Sequence, residues 1–332
     1  MVGHSSRRGA LAPHSVPLPA GGERDGEGRP GARADPSDIP KDDWLGRRVP
    51  ARLQPYARLA RLDRPIGTWL LLFPGWWGIA LASERWPDSI LLLLFAIGAV
   101  AMRGAGCTLN DIADRNYDGK VARTRLRPLP SGAVSVRQAI IFLLLQLVIG
   151  AAVLFSLNRT TILLGIAVLV LIGTYPFMKR ITYWPQVFLG LNFNWGALIG
   201  WTAVTGTLGW PPLLLYLGGV FWTIGYDTIY AHQDKEDDIR IGVKSSAIAL
   251  GVNTRPWLFA FYGAAVLLWA AAGNAAGLGA VFWVGLAAAA AQLAWQATRV
   301  ATEDPTDCLR KFRLNRAVGW LLLAGIIAGH FA

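Results

Sequence analysis

Charge is scarce in this sequence. Only 16% of its 332 residues are Asp, Glu, Lys or Arg, against about a quarter in soluble domains. The shortage is concentrated in long stretches, and 181–226 and 256–298 contain no charged residue. Such runs exclude an ordinary soluble domain and point to a bilayer as solvent. Cysteine is equally sparse. Of the two present, Cys107 sits in an apolar run and Cys308 in a basic loop, so no disulfide framework is expected. The four histidines show no metal-ligand spacing. The glycines of 190–196 lack the strand-loop-helix context of a nucleotide loop and read as close-packing residues. Acids are outnumbered by bases, 21 to 32, for a net charge of +11. The bases lie between apolar runs, which suits membrane lipid headgroups and the positive-inside bias rather than nucleic acid.

Residues 1–50 are rich in Gly, Pro, Arg and acids and read as a disordered polar arm ahead of a membrane domain over 51–332. No apolar segment follows Met1, so a secretory signal is not expected. The arm carries Glu23, Asp25, Glu27, Asp35, Asp38, Asp42 and Asp43, more acid than a mitochondrial transit peptide favours. A bacterial inner membrane is therefore expected, with the mitochondrial inner membrane as the alternative.

A spanning helix needs about 20 apolar residues. Runs at 66–83, 89–109, 138–157 and 160–178 supply four spans, 181–226 and 256–298 two each, and 317–332 a short last one, nine in all. The 181–226 run breaks at Thr205-Gly206 through Pro211-Pro212, the 256–298 run at Gly273-Asn274. Loops on one side hold only Arg85 and Arg159; the other 30 of 32 bases fall on the opposite side. That asymmetry places the N-terminus in the cytoplasm and the C-terminus outside. The expected fold is all-α, nine transmembrane helices around a central cavity open to the cytoplasmic side.

Two acidic clusters interrupt this pattern. The first ends the second span: Asn110, Asp111, Asp114 and Asp118 fall within roughly a 100° arc if the helix continues. The second ends the sixth span, where Asp227, Tyr230, Asp234 and Asp238 fall within roughly 80° on the same assumption, with Asp237 to one edge. An even number of spans separates them, so both meet the same membrane face. Acids at membrane depth are costly and mark function. Oxygen-only ligands suit Mg²⁺, which binds through one or two carboxylates plus substrate phosphates. Two facing clusters would hold two ions with a diphosphate between them. A cation- or proton-coupled transporter is the rival reading, but its acids belong near the bilayer midplane.

Basic residues adjoin the clusters. Lys120, Arg123 and Arg127 follow the first, and Lys179-Arg180 ends the fourth span. They serve either phosphate binding or topology alone. Arg64, before Pro65 at the first span, either faces the site or snorkels to headgroups. Arg103 lies within the second span and needs an anionic partner, either a neighbouring Asp or a substrate carboxylate. Asn192 and Asn194 at depth also need partners and are candidates for the cavity lining.

These residues resemble the UbiA superfamily of membrane prenyltransferases, most of all its 4-hydroxybenzoate branch. Asn110, Asp111, Asp114 and Asp118 match its first signature, continued by Arg123-Thr124 and 127–132. Tyr226, Asp227, Tyr230, Ala231, Asp234 and Asp238 match the second. Further likeness lies at 62–69 and 175–180. The resemblance implies a polyprenyl diphosphate donor, a 4-hydroxybenzoate acceptor in ubiquinone biosynthesis, and Mg²⁺. Asn110 and Asp114 would hold one ion, Asp234 and Asp238 the other. Asp118 and Asp227 would act as supporting acids, with Asp111 and Tyr230 completing the catalytic set. Another quinone, haem or chlorophyll precursor is the alternative acceptor within the same superfamily.

Overall fold

The computed structural model describes residues 44–118 and 124–331, and helix is the only regular secondary structure among them. Four elements are short: α1 (Trp44–Arg48), α2 (Gln54–Leu59), α9 (Lys235–Ile241) and α10 (Ser246–Leu250). The long ones are α3 (Ile66–Ala82), α4 (Ser89–Asp118), α5 (Val136–Phe155), α6 (Arg159–Ile181), α7 (Pro185–Thr205), α8 (Trp210–Ala231), α11 (Thr254–Ala275), α12 (Ala280–Arg299) and α13 (Pro305–Gly329). Among the described residues, nine helices thus reach 17 residues or more. Six segments are long and apolar enough to cross a membrane, and Ile66–Ala82 and Arg159–Tyr175 are shorter apolar helices. Helix α8 is in neither group; its Thr223, Tyr226 and Asp227 dilute its apolar content.

Local chemistry explains the ends. A capping box of Ser135 and Gln138 opens α5, and the Asn158 side chain accepts from the Thr161 N–H to open α6. Pro residues at the first turns of α7, α8 and α13 occupy positions where the missing N–H is harmless. Gly206 terminates α7 at φ 74°, the left-handed value glycine tolerates. Two boundaries differ from expectation. The last helix begins at Pro305 rather than near 317, because Asp304 caps it and the Lys311–Asp307 pair stabilises its charged first turns. Order also starts inside the stretch read as arm: Leu45 of α1 is fully buried and Trp44 donates to the Leu62 carbonyl at 3.2 Å. Residues 1–43 lie outside the described residues.

Helix α3 is the hub. It packs along α7 and also meets α4, α8 and α13. The close approach to α7 rests on glycines: a methyl on Gly200 would run into the Gly75 carbonyl oxygen, and one on Gly78 into that of Ala197. Small residues let membrane helices approach in this way when apolar burial offers little drive between them. Around this contact lies an aromatic core. Trp77, Trp222 and Trp269 are fully buried with ring centroids 5.2–6.0 Å apart. Two of the three indole N–H groups bond across to α13, Trp77 to the Gly319 carbonyl at 3.0 Å and Trp222 to Asn315 at 2.8 Å, while that of Trp269 is buried without a hydrogen-bond partner among the described residues. By contrast α5 and α6 turn Ile141, Leu145, Val148, Leu169 and Val170 outward, an apolar surface suited to lipid.

Gly200→Val should lower the thermal midpoint in detergent, overpacking of this kind costing about 1–3 kcal/mol or more. Gly263→Ala, at a helical glycine with open space around it, should be neutral or slightly stabilising. Equal midpoints for the two variants would contradict the α3–α7 contact.

Candidate functional site

At 30 residues, α4 is about 45 Å long, well beyond the roughly 30 Å hydrocarbon core. Its last turns therefore emerge from the apolar layer, and they carry the first acidic cluster. The four members separate by environment. Asp111 is fully buried and Asp118 nearly so, whereas Asn110 and Asp114 are exposed. Asp111 accepts from Arg61 at 2.7 Å and from Arg127 at 3.4 Å; Arg127 also donates to Asp118 at 3.1 Å. Arg61 takes a left-handed backbone, φ 56°, and its other nitrogen donates to the Arg58 carbonyl at 3.1 Å. Thr124 closes the group by donating to the Asp118 carbonyl at 2.8 Å. Buried carboxylates persist only when paired in this way. Asn110 and Asp114, in contrast, have no hydrogen-bond or ion-pair partner among the described residues, so their oxygens face outward and are available to a ligand.

The second cluster departs from the expected single helix. Helix α8 stops at Ala231, the chain turns through His232–Asp234, and α9 restarts at Lys235. One helical arc therefore does not relate Asp227 and Tyr230 to Asp234 and Asp238. Asp234 stands at the N-cap of α9 without a capping hydrogen bond from its side chain. All four side chains are partly buried and make further contacts. Tyr226 is buried, bonded to Thr223 at 3.2 Å and edge-on to Trp222 at 4.9 Å, so it serves the core. The Tyr230 ring packs 4.6 Å from Phe312 of α13. The turn is pinned from behind: Thr228 bonds Ser246 at 2.7 Å and His232 bonds Thr254 at 2.9 Å. Burial, with Lys235 nearby, pushes His232 down to about 4, so it is neutral and adds no charge beside Asp234.

Helices α4 and α8 both pack on α3 but form no extensive interface with each other. Arg103, two turns before Asn110 on α4, reaches across to α3 and α7. Its guanidinium lies 5.7 Å from the Phe193 ring centroid and against Gly67, within electrostatic range of Tyr226. No carboxylate among the described residues pairs with it. Of the two partners open to Arg103, a neighbouring Asp is thus not what the structure supplies.

The remaining candidates divide. Arg64 holds the buried Asp63 at 3.0 Å, with its side chain about a quarter exposed. Arg127 braces Asp111 and Asp118. Arg180 is exposed. Asn192 donates to the Phe188 carbonyl at 2.8 Å and the Leu171 carbonyl at 3.2 Å, leaving its own buried oxygen without a protein partner. Lys120, Arg123 and the Lys179 side chain lie outside the described residues. Sequence reasoning missed Arg61, Phe193 and Phe312. Only Arg61 left a signal: Arg58, Arg61 and Arg64 recur at three-residue spacing beside the first span.

The donor chemistry fits a hard divalent cation. Among the described residues no three of His, Cys, Asp and Glu converge to form a metal cage. Exposed Asn and Asp oxygens in small numbers suit Mg²⁺, which takes its remaining ligands from water and phosphate.

Breaking the Arg61–Asp111 pair should be costly: Arg61→Met should destabilise the chain by about 3–5 kcal/mol, and Arg61→Met/Asp111→Leu by clearly less. Detergent unfolding midpoints check this, and a double variant no better than the single would refute the buried-pair account.

Comparisons with known proteins agree with this arrangement. The model of the UbiA prenyltransferase family matches residues 71–323. The chain is 48% identical over 86% of its length to the mitochondrial 4-hydroxybenzoate polyprenyltransferase of Arabidopsis thaliana, covering 71% of that protein. Against the Homo sapiens protein of the same name it is 49% identical over 85% of its length, covering 77%. Among solved structures, a UbiA homolog from Aeropyrum pernix superposes with TM-score 0.67 at 31% identity, over 78% of this chain and 97% of that one. A homolog from Archaeoglobus fulgidus bound to GPP and Mg²⁺ shares the fold, with TM-score 0.57 at 18% identity over 84% of this chain and all of that one. An all-helical chain with two acidic signatures at helix ends, matched over these lengths, belongs to the UbiA prenyltransferase family.

Proposed function

We propose that this chain transfers a polyprenyl group from polyprenyl diphosphate to the ring carbon ortho to the hydroxyl of 4-hydroxybenzoate, in ubiquinone biosynthesis, with Mg²⁺ as cofactor. The reading rests on one observation above all. Helices α4 and α8, which carry the two acidic signatures at their ends, both pack on α3, and Arg103 of α4, with no carboxylate partner among the described residues, is within electrostatic range of Tyr226 in the second signature. Relatives named for this activity, about half identical over most of the chain, support it.

In this reading nine helices span an inner membrane, with the site on the cytoplasmic side or, in a mitochondrion, on the matrix side. Asn110 and Asp114 hold one Mg²⁺, Asp234 and Asp238 the other. When bound, the ions neutralise negative charge on the diphosphate as it leaves. Asp111 and Asp118, locked to Arg61 and Arg127, fix the end of α4 so that Asn110 and Asp114 keep their position. Arg64 and Arg180, with Lys120, Arg123 and Lys179, balance the phosphate oxygens. Arg103 receives the carboxylate of 4-hydroxybenzoate, its guanidinium plane held by Phe193. Ionisation of the donor's allylic C–O bond leaves a cation that water would quench; Phe193, Tyr230 and the apolar helix walls exclude it. The ring carbon then forms the new C–C bond, and the ring proton passes to Asp227, restoring aromaticity. Tyr230, packed on Phe312 with the rings tilted, borders the donor, and the prenyl tail lies among apolar helices open to lipid.

Asp114→Ala and Asp234→Ala should abolish transfer in membranes while insertion persists, and Asp237→Ala should reduce it far less; product from labelled 4-hydroxybenzoate is the measure. Equal loss at Asp237 would contradict the assigned ligands. For the acceptor, Arg103→Met should raise KM for 4-hydroxybenzoate by about 10- to 100-fold, the weight of a charge-assisted hydrogen bond. KM for the polyprenyl diphosphate should stay near its starting value. A shift confined to the donor would remove Arg103 from the acceptor site.

A further inference from the structure

Outside the two acidic signatures, the strongest unassigned feature is a basic groove on the first turns of α13. It is an open surface depression of about 320 Å³ along this one helix, lined by Thr306, Leu309, Arg310, Arg313, Leu314 and Arg316. The three arginines are exposed and form no ion pair with a described residue. Yet acids are close by in sequence; Asp307 acts electrostatically on Arg310, but each acid has another direct partner. Glu303 faces Lys235 at 4.0 Å, and Asp304 caps the helix through the Thr306 N–H at 2.9 Å. Asp307 accepts from Lys311 and from the Ala301 N–H. The groove therefore keeps its positive charge.

Its surroundings indicate what neutralises it. Arg310, Arg313 and Arg316 cover roughly a 120° arc of the helix and about 9 Å of its axis, with Thr306 on the same face about 6 Å before Arg310. One turn beyond Arg316, Trp320 is 43% exposed and rests on Trp69, Phe73 and Trp76 of α3, with centroids 5.3–5.7 Å away. Phe73 and Trp76 are near the middle of α3, so Trp320 lies deeper along the helix than the arginines, on the acyl-chain side of them. Charge, hydroxyl, leucine walls and a tryptophan thus succeed one another along the path a phospholipid takes from headgroup to acyl chain. Three guanidinium forks spread over that distance exceed the need of a single phosphate.

We propose that this groove binds the headgroup of a two-phosphate phospholipid of the cardiolipin type, its phosphates on Arg310, Arg313 and Arg316 and its acyl chains descending past Trp320. Arginine clusters at the cytoplasmic or matrix end of a transmembrane helix attract anionic headgroups at about 1 kcal/mol per charge. None of the groove residues belongs to either acidic signature, though Phe312 of the same helix meets Tyr226 and Tyr230, and the bound lipid would fasten α13 at the membrane surface.

The full chain, reconstituted in vesicles of phosphatidylcholine alone, with phosphatidylglycerol, or with cardiolipin, is extracted in mild detergent and its retained lipid quantified by mass spectrometry. Wild type should retain cardiolipin over the other two. Arg313→Gln/Arg316→Gln should weaken retention by about thirtyfold, and the Lys/Lys variant should keep most of it. Arg125→Gln/Arg137→Gln, which removes two exposed arginines from the same membrane face, should retain cardiolipin as wild type does. Should the double variant fail to purify, Arg313→Gln alone carries the test, with about a fivefold loss. Undiminished retention in the groove variants, equal loss in the Arg125/Arg137 control, or preference for phosphatidylglycerol would overturn the proposal.

Discussion

The buried ion pairs at the end of α4 are the constraint on which the site depends. A helix that carries Asp111 and Asp118 into a protein interior must bring cations with it, since an unpaired buried carboxylate would protonate or unfold its surroundings. Arg61 comes from the turn after α2 and Arg127 from the loop after α4. Segments on both sides of the first two long helices are thus tied to one point. The left-handed backbone of Arg61 is consistent with that demand, because strain at a non-glycine residue persists only where its surroundings over-determine it. The cluster then divides its labour: two acids are consumed in holding the helix end, and two oxygen ligands remain outward.

Packing supplies the second half of the arrangement. Apolar burial gives little drive between helices already in lipid, so close contact and hydrogen bonds must hold α3 against its neighbours. Glycine at the α3–α7 contact brings the backbones together, and the indole N–H groups of Trp77 and Trp222 bond across to α13. The Trp222–Asn315 bond lies one turn before Tyr226 and Asp227. Phe312, one turn before Asn315, touches both Tyr226 and Tyr230. The second signature is therefore set by α13 as much as by its own helix.

Much of this was legible from residue order. The helical class, the Thr205–Pro212 break and the extension of α4 through Asp118 all follow from apolar runs, turn residues and charge. Periodicity failed where local geometry intervened. The arc drawn through Asp227 to Asp238 assumed unbroken helix, and the turn at His232–Asp234 interrupts it. The face drawn through Asn110 to Asp118 did hold in a helix, yet a 100° arc is wide enough to contain both a buried edge and an exposed one. Arg127 was readable as basic, but its partners were not, because ion pairing across separate segments leaves no spacing in the chain. The same holds for Phe193 beneath Arg103. The start of α13 was misjudged because its first turns are charged, and hydropathy marks only the part of a helix that meets lipid.

The sparse ligand set has a physical consequence. A complete protein cage would bind a hard cation whether or not substrate were present, and would leave it few free coordination positions. Here each acidic signature offers two candidate ligands, and among the described residues no further carboxylate, histidine or cysteine converges to finish the shell. Mg²⁺ dehydrates reluctantly and prefers to keep waters until phosphate oxygens replace them. With the proposed ligands, donor and metal would complete each other's coordination, and affinity for either would depend on the other. Such coupling suits a site facing water at a membrane surface.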